Sequence, residues 1–252
     1  MEKFTVIEAK PFCLNDNLGF EILDKAGIAY VDIRGKALDD PDVRDAFRRA
    51  TTLLCGNQLT LDAQTLDELL PNLKVIGKVG TGLDNVDIEA ATQRGIIVCN
   101  TPGANSQAVA DLALGLMLAV CRKIPTGYKV ANDGKVLEDY DFFGIDVWGK
   151  TLGLLGLGAI GRNVALRAIG FTMKIIASDP YWPAEFAAEH DIHTPVDMAD
   201  VPATSDFASL HLPHLPSPEY LIIQDPPALT QPGPLIINSS LVCFINHYLL
   251  SP

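Results

Sequence analysis

The stretch Thr151-Leu152-Gly153-Leu154-Leu155-Gly156-Leu157-Gly158-Ala159-Ile160-Gly161-Arg162 decides how the chain folds. Its first half is an apolar run of the length and character of a buried parallel strand. Its second half is Gly-x-Gly-x-x-Gly and leads into a helical segment, Asn163 to Ile169. Gly156 permits the tight turn, Gly158 lets backbone approach a pyrophosphate, and Gly161 lets helix and strand pack closely. Phosphates would rest on the helix N-terminus, where unpaired N–H groups and the positive dipole end attract anions. Eighteen residues after Gly161, Asp179 ends the next strand, close to the spacing of about 20 for a carboxylate that binds adenosine ribose hydroxyls. No Arg or Lys stands in Pro180-Tyr181-Trp182-Pro183 to pair with a 2'-phosphate, so NAD is expected rather than NADP. The plainer alternative is a tight strand-to-helix turn with Asp179 capping local backbone. Strand, glycines, helix and acid in this order favour the dinucleotide.

Working outward, the first hundred residues alternate strand-like runs (Phe4 to Glu8, Ala29 to Asp32, Thr52 to Cys55, Lys74 to Val79, Ile96 to Cys99) with helical ones (Leu18 to Ala26, Asp42 to Ala50, Ala63 to Leu70, Ile88 to Gln93). Such alternation implies a parallel sheet. The fold class expected is α/β with two parallel-sheet domains, residues 1–100 and 101–252. The second begins after the turn Asn100-Thr101-Pro102-Gly103 with a long helical pattern, Ser106 to Ile124, which Asn105 or Ser106 would cap. Pro125 to Gly149 reads as an irregular surface connection. Strand signals return at Lys150 to Leu157, Met173 to Asp179, Asp206 to Leu212 and Pro234 to Ser240, with a weak one at Ile192 to Val196.

Composition removes several classes. With 252 residues, 48% hydrophobic and 20% charged, the chain is folded rather than disordered. Its 19 Lys+Arg against 31 Asp+Glu give a net charge of -12, which repels nucleic acid. Five scattered cysteines (Cys13, Cys55, Cys99, Cys121, Cys243) show neither disulfide nor zinc spacing, and no metal site is expected. The opening MEKFTVIEAK lacks the features of a signal peptide, and the longest apolar stretch, Leu112 to Cys121, is too short to span a bilayer. No membrane partner and a cytoplasmic location are expected.

Several separated segments then carry a resemblance: Lys78 to Pro125 (KVGTGLDNVDIEAATQRGIIVCNTPGANSQAVADLALGLMLAVCRKIP), the GLGAIGR loop, Ser178 to Tyr181 (SDPY) and Ser205 to Pro213 (SDFASLHLP). From about Leu53 to Ser240 the chain resembles the NAD-dependent D-isomer-specific 2-hydroxyacid dehydrogenases, in their phosphoglycerate dehydrogenase-like branch. The resemblance implies a flavodoxin-like substrate-binding domain followed by a Rossmann domain, and hydride transfer between NAD and a small 2-hydroxy or 2-oxo acid such as 3-phosphoglycerate, glycerate or glycolate. It implies that the amides of Val79 and Gly80 hold the substrate carboxylate and that His211-Leu212-Pro213 wall the adenine pocket. Asn105 matches an asparagine near substrate and nicotinamide, with the helix cap as its other reading. The helix from Ser106 to Ile124 matches one that packs across a two-fold axis, implying a homodimer, although an intramolecular core helix carries the same apolar stripe.

The same resemblance marks departures. The family's phosphate-contacting Thr after the His-Leu-Pro stretch is Leu215 here. Cys55-Gly56-Asn57-Gln58 lacks the Arg-Ser pair frequent in phosphoglycerate dehydrogenases, so hydroxypyruvate or glyoxylate fits at least as well as a phosphorylated acid. The family reaction uses an Arg to grip the carboxylate and a Glu-held His as base. The Arg motif is replaced by Asn238-Ser239-Ser240-Leu241-Val242, and His247, in the apolar tail LVCFINHYLLSP, matches no motif. The expectation is a chain with a cofactor site and no assigned catalytic residue, its last twelve residues a foreign tail on a truncated gene. The alternative function is a non-catalytic NAD-binding or dimerising remnant.

Overall fold

In a computed structural model the described residues are 4–10, 12–13, 17–135, 143–194, 198, 200–212 and 234–240. The chain divides into two compact units, Met1–Ala104 and Asn105–Pro252.

The first unit carries strands β1 (Phe4–Ile7), β2 (Ala29–Asp32), β3 (Thr52–Cys55), β4 (Val75–Lys78) and β5 (Ile97–Cys99), with helices α1 (Leu18–Lys25), α2 (Pro41–Arg49), α3 (Ala63–Glu68) and α4 (Ile88–Gln93) between them. All pairings are parallel, in the order β2-β1-β3-β4-β5. Three helix starts follow from the sequence: Asp40, Asp62 and Asp87 occupy the N-caps of α2, α3 and α4, and each carboxylate accepts a first-turn N–H. The core fills around Phe47, Leu53, Leu61, Leu66, Leu70 and Ile76, each buried. Strand order reverses direction between β1 and β3, the kind of place where α/β sheets bind ligands beyond their C-terminal ends.

The second unit holds α5 (Ser106–Cys121), α6 (Ile124–Asn132), β6 (Thr151–Leu155), α7 (Ala159–Gly170), β7 (Lys174–Ser178), α8 (Ala184–Glu189), α9 (Asp200–Ala203), β8 (Phe207–Leu210) and β9 (Leu235–Asn238). Its sheet is also parallel, β7-β6-β8-β9. The central strand β8 is buried at every residue, and α5 packs its Ala110, Ala113, Leu114 and Met117 face into the core shared with α7.

Two expectations change. Part of the segment expected to be irregular is helix α6: Lys123 turns left-handed (φ 53) and ends the first helix, and Pro125, which needs no N–H partner, starts the second. The weak strand at Ile192 to Val196 reduces to one bridge between Ile176 and His193, while Val196 lies outside the described residues. Among the described residues no helix is long and apolar enough to cross a membrane.

Replacing Phe47, fully buried between helix and sheet, removes the largest side chain of the first core. Phe47→Ala should lower stability by about 3–5 kcal/mol, read as a shifted urea midpoint.

Candidate functional site

Strand β6 ends in a turn built on two close backbone approaches. Gly156 has φ 98, and a Cβ there would stand 2.6 Å from the carbonyl oxygen of His211. A Cβ on Gly161 would stand 2.1 Å from the carbonyl oxygen of Gly156. Both positions therefore exclude any side chain, and α7 begins hard against the end of β6. Gly158 differs: it is the N-cap of α7, makes no side-chain cap bond, and an added Cβ would meet nothing within 4 Å. The first N–H groups of α7, on Ala159, Ile160 and Gly161, have no acceptor one turn back, so the helix presents donors and a positive dipole end to open space.

Asp179 follows β7 and reaches across the turn. One carboxylate oxygen accepts from the Leu157 N–H at 2.7 Å and the other from the Tyr181 N–H at 2.7 Å. The local role weighed for Asp179 is thus real, and it is compatible with the other, because an ionised carboxylate accepts about four hydrogen bonds and two are used. Leu157 is buried, and its carbonyl accepts from Arg162 Nε at 3.1 Å. Arg162, which sequence reasoning passed over, also lies over the Phe186 ring at 5.5 Å.

His211 and Leu212 flank the same turn. The His211 N–H donates to the Leu155 carbonyl at 2.8 Å, and its Nε2 pairs with the Ser209 hydroxyl at 2.9 Å. Burial pushes its imidazole pKa down to about 4, so the ring is neutral at pH 7 and supplies no cation. The Leu212 carbonyl accepts from the Ser240 hydroxyl at 2.8 Å. Pro213, Leu215, Leu241, Val242 and His247 lie outside the described residues. The structure thus brings Gly156, Leu157, Gly158, Ala159, Ile160, Gly161, Asp179, His211 and Leu212 around one turn.

In the first unit, the expected pair of carboxylate-holding amides needs correction. The Val79 N–H donates to the Cys55 carbonyl at 2.9 Å, extending the β3–β4 ladder by one bond, so it is not free for a ligand. The Gly80 N–H donates to the Thr101 hydroxyl at 2.9 Å, a partner that can rotate away. Gly80 itself has φ 142, a conformation that favours glycine. A cavity of about 440 Å³ opens at this edge, lined among others by Phe12, Leu18, Ile22, Leu54, Val79 and Thr101. Asn105 is the N-cap residue of α5, but its side chain makes no cap bond and is exposed. Sequence reasoning also missed Lys78, which is 2% exposed; a lysine ending an apolar strand was the available signal.

Residues 13–233 match the family model described as D-isomer specific 2-hydroxyacid dehydrogenase, catalytic domain. The chain belongs to this family. It is 42% identical over 220 residues to a D-3-phosphoglycerate dehydrogenase of Methanocaldococcus jannaschii, covering 86% of this chain and 41% of that one. It is 44% identical over 172 residues to a hydroxypyruvate reductase of Thermotoga maritima, covering 67% and 54%. The chain thus spans about two fifths of the length of the phosphoglycerate dehydrogenase. Among solved structures, the apo-structure of D-lactate dehydrogenase from Escherichia coli superposes with a TM-score of 0.80 at 26% identity, covering 98% of this chain and 76% of that one. The cofactor of this dehydrogenase family is NAD, and the open, donor-lined start of α7 with an acid across the turn fits such a dinucleotide.

The His211 imidazole gives a pH test. An unfolded histidine binds a proton near pH 6.5, whereas the folded ring resists protonation until about pH 4, so the unfolded state takes up protons first as pH falls. Stability should be full above pH 6.5 and decline by about 2 kcal/mol between pH 7 and 5 from this group alone. Urea melts at both pH values check this, with His211→Gln flattening the difference.

Proposed function

We propose that the chain binds NAD at the Gly156 to Gly161 turn and a small 2-hydroxy or 2-oxo acid at the C-terminal edge of the first sheet, as in a D-2-hydroxyacid oxidoreductase. The observation that carries this reading is the space over Gly158, where nothing lies within 4 Å of an added Cβ at the unpaired start of a twelve-residue helix. When bound, the nicotinamide supplies a hydride acceptor or donor.

The chain's own residues bind and orient. Gly158, Ala159, Ile160 and Gly161 offer backbone donors to the pyrophosphate. Asp179, with lone pairs remaining on each oxygen, accepts from ribose hydroxyls and opposes a 2'-phosphate. His211 and Leu212 border the turn as an uncharged wall for the adenine. In the first unit, the Gly80 N–H exchanges the Thr101 hydroxyl for the acid's carboxylate; in the second, Asn105 keeps an exposed amide. The relatives' names make 3-phosphoglycerate and hydroxypyruvate the acids to try.

A second reading, binding without turnover, is favoured by one observation. The segment Asn238-Ser239-Ser240-Leu241-Val242 has Leu241 where the family motif has its arginine, and an alkyl side chain neither grips a carboxylate nor polarises a carbonyl.

The proposal extends to a homodimer. Leu112, Leu116, Val120, Ile124 and Tyr128, four residues apart along α5 and α6, are each more than 40% exposed. Beside the end of α5, where the Ile145 N–H donates to the Cys121 carbonyl at 2.9 Å, Ile145 and Trp148 add exposed apolar surface. Exposed apolar side chains gathered on neighbouring elements mark an interface, and a two-fold axis pairs such a surface with itself. A cytoplasmic location belongs to the same reading.

Calorimetric titration should show NADH bound more tightly than NADPH, and Asp179→Ala should weaken NADH by at least about tenfold, or about 1.4 kcal/mol. Adding hydroxypyruvate separates the readings: turnover supports the oxidoreductase, NADH binding alone supports the silent binder, and absence of NADH binding removes both. Light scattering should report a dimer that Leu116→Glu with Val120→Glu converts to monomer.

A further inference from the structure

Gly158 leaves room for a ligand because it has no side chain, and for the same reason no side-chain packing holds it: an added Cβ would meet nothing within 4 Å. The peptide planes on either side of a glycine turn more freely than those beside any other residue. Donors carried on such planes lose affinity unless something fixes them beforehand, because their freedom is given up on binding. At this turn the fixing groups come from one turn further along α7.

Arg162 holds both planes that flank Gly158. Its Nε donates to the Leu157 carbonyl at 3.1 Å, and its own N–H donates to the Gly158 carbonyl at 3.0 Å. Asn163 adds a third grip, its Nδ2 donating to the Ala159 carbonyl at 2.8 Å. In a trans peptide the N–H points opposite to the C=O. Holding the carbonyls of Leu157, Gly158 and Ala159 from the helix side therefore turns the N–H groups of Gly158, Ala159 and Ile160 away from it. None of these three N–H groups meets an acceptor among the described residues.

The bond from Arg162 Nε stands apart from the other two. The Gly158 and Ala159 carbonyls lie within reach of ordinary helix bonds, whereas Leu157 precedes the N-cap of α7. Among the described residues no other donor reaches the Leu157 carbonyl. The Leu157 N–H, one peptide earlier, donates to Asp179, so this buried residue is clamped by an acid at its N–H and by an arginine at its carbonyl. The arginine is held in turn from α8. Its guanidinium lies over the Phe186 ring at 5.5 Å, and that ring meets the His190 ring edge-on with centroids 4.5 Å apart. Among the described residues Arg162 has this ring and the two carbonyls as partners, with no carboxylate at ion-pair distance. An ion pair therefore does not account for where the side chain lies.

We infer, on the reading of this turn as the dinucleotide site, that Arg162 is a positioning residue for the cofactor's diphosphate. Its Nε donor, rather than its charge, fixes the peptide between Leu157 and Gly158, so that the N–H groups at the start of α7 are aimed before the ligand arrives.

Three substitutions separate donor from charge. In Arg162→Gln, Nε2 takes the chain position of the arginine Nε without the charge. Arg162→Lys keeps the charge and puts a methylene there, and Arg162→Met removes both donor and charge while keeping an apolar stem. Calorimetric titration of the full chain uses NADH and ADP-ribose, which carries the diphosphate and lacks the nicotinamide. Arg162→Met and Arg162→Lys should each weaken both ligands by about tenfold, and Arg162→Gln should retain both to within about threefold. Circular dichroism melts confirm that each variant is folded at the titration temperature, and the comparison of Gln with Lys stands even where Met does not fold. Lys binding at least as tightly as Gln would show a direct contact between charge and phosphate and overturn the inference, as would a loss confined to NADH. NADH binding that Arg162→Met leaves untouched would overturn it alone and keep the cofactor reading, whereas no NADH binding by the unaltered chain would overturn both.

Discussion

Helix α7 starts so close to the end of β6 that a single methyl group on Gly161 would collide with the Gly156 carbonyl oxygen. This approach of two backbones governs the second unit. Because the helix begins there, its unpaired N–H groups emerge at the C-terminal end of the central strands, with the end of β7 and Asp179 on one side and the end of β8 and His211 on the other. A side chain on Gly161 would push the helix away, and the N–H groups would lose their common focus, while one on Gly156 would strike the His211 carbonyl at the end of β8. Packing and anion binding are in this sense one constraint.

The first unit solves a similar problem with side chains. Among the described residues, no helix of this unit begins directly on a glycine turn as α7 does. The turn after β3 is fixed by Glu8, Asn85 and Lys78, drawn from three other places in the chain. Two buried charges, Glu8 and Lys78, hold neutral groups of the turn in place. Such networks are favourable only when their members are satisfied, and here each charged group has at least one partner.

Much of this was legible in the sequence. Strand and helix alternation located the strands of both sheets, because short apolar runs, set off in the first unit by capping aspartates, leave few alternatives. The glycine turn was legible for a sharper reason: only glycine tolerates both the φ of 98 at Gly156 and the contact at Gly161. Helix α6 was obscured because Tyr128 and Ile124 face outward, so the usual buried stripe is missing from IPTGYKVAN. Val79 was assigned a ligand-holding amide that the structure gives to Cys55, since a strand's hydrogen-bond ladder can run one residue past its apolar signal.

The sequence by itself determined the class of fold, the family and the location of the dinucleotide turn, because these depend on local spacing and on residues that no other chemistry replaces. Tertiary structure alone decided which donors remain available. Whether the N–H of Val79 or Gly80 is free and whether Asp179 keeps lone pairs depend on partners from other segments, 21 residues away for Gly80 and Thr101 and 22 for Asp179 and Leu157. Hydrogen bonds between distant segments leave no period in a sequence, since they depend on where the folded sheet brings the strand ends.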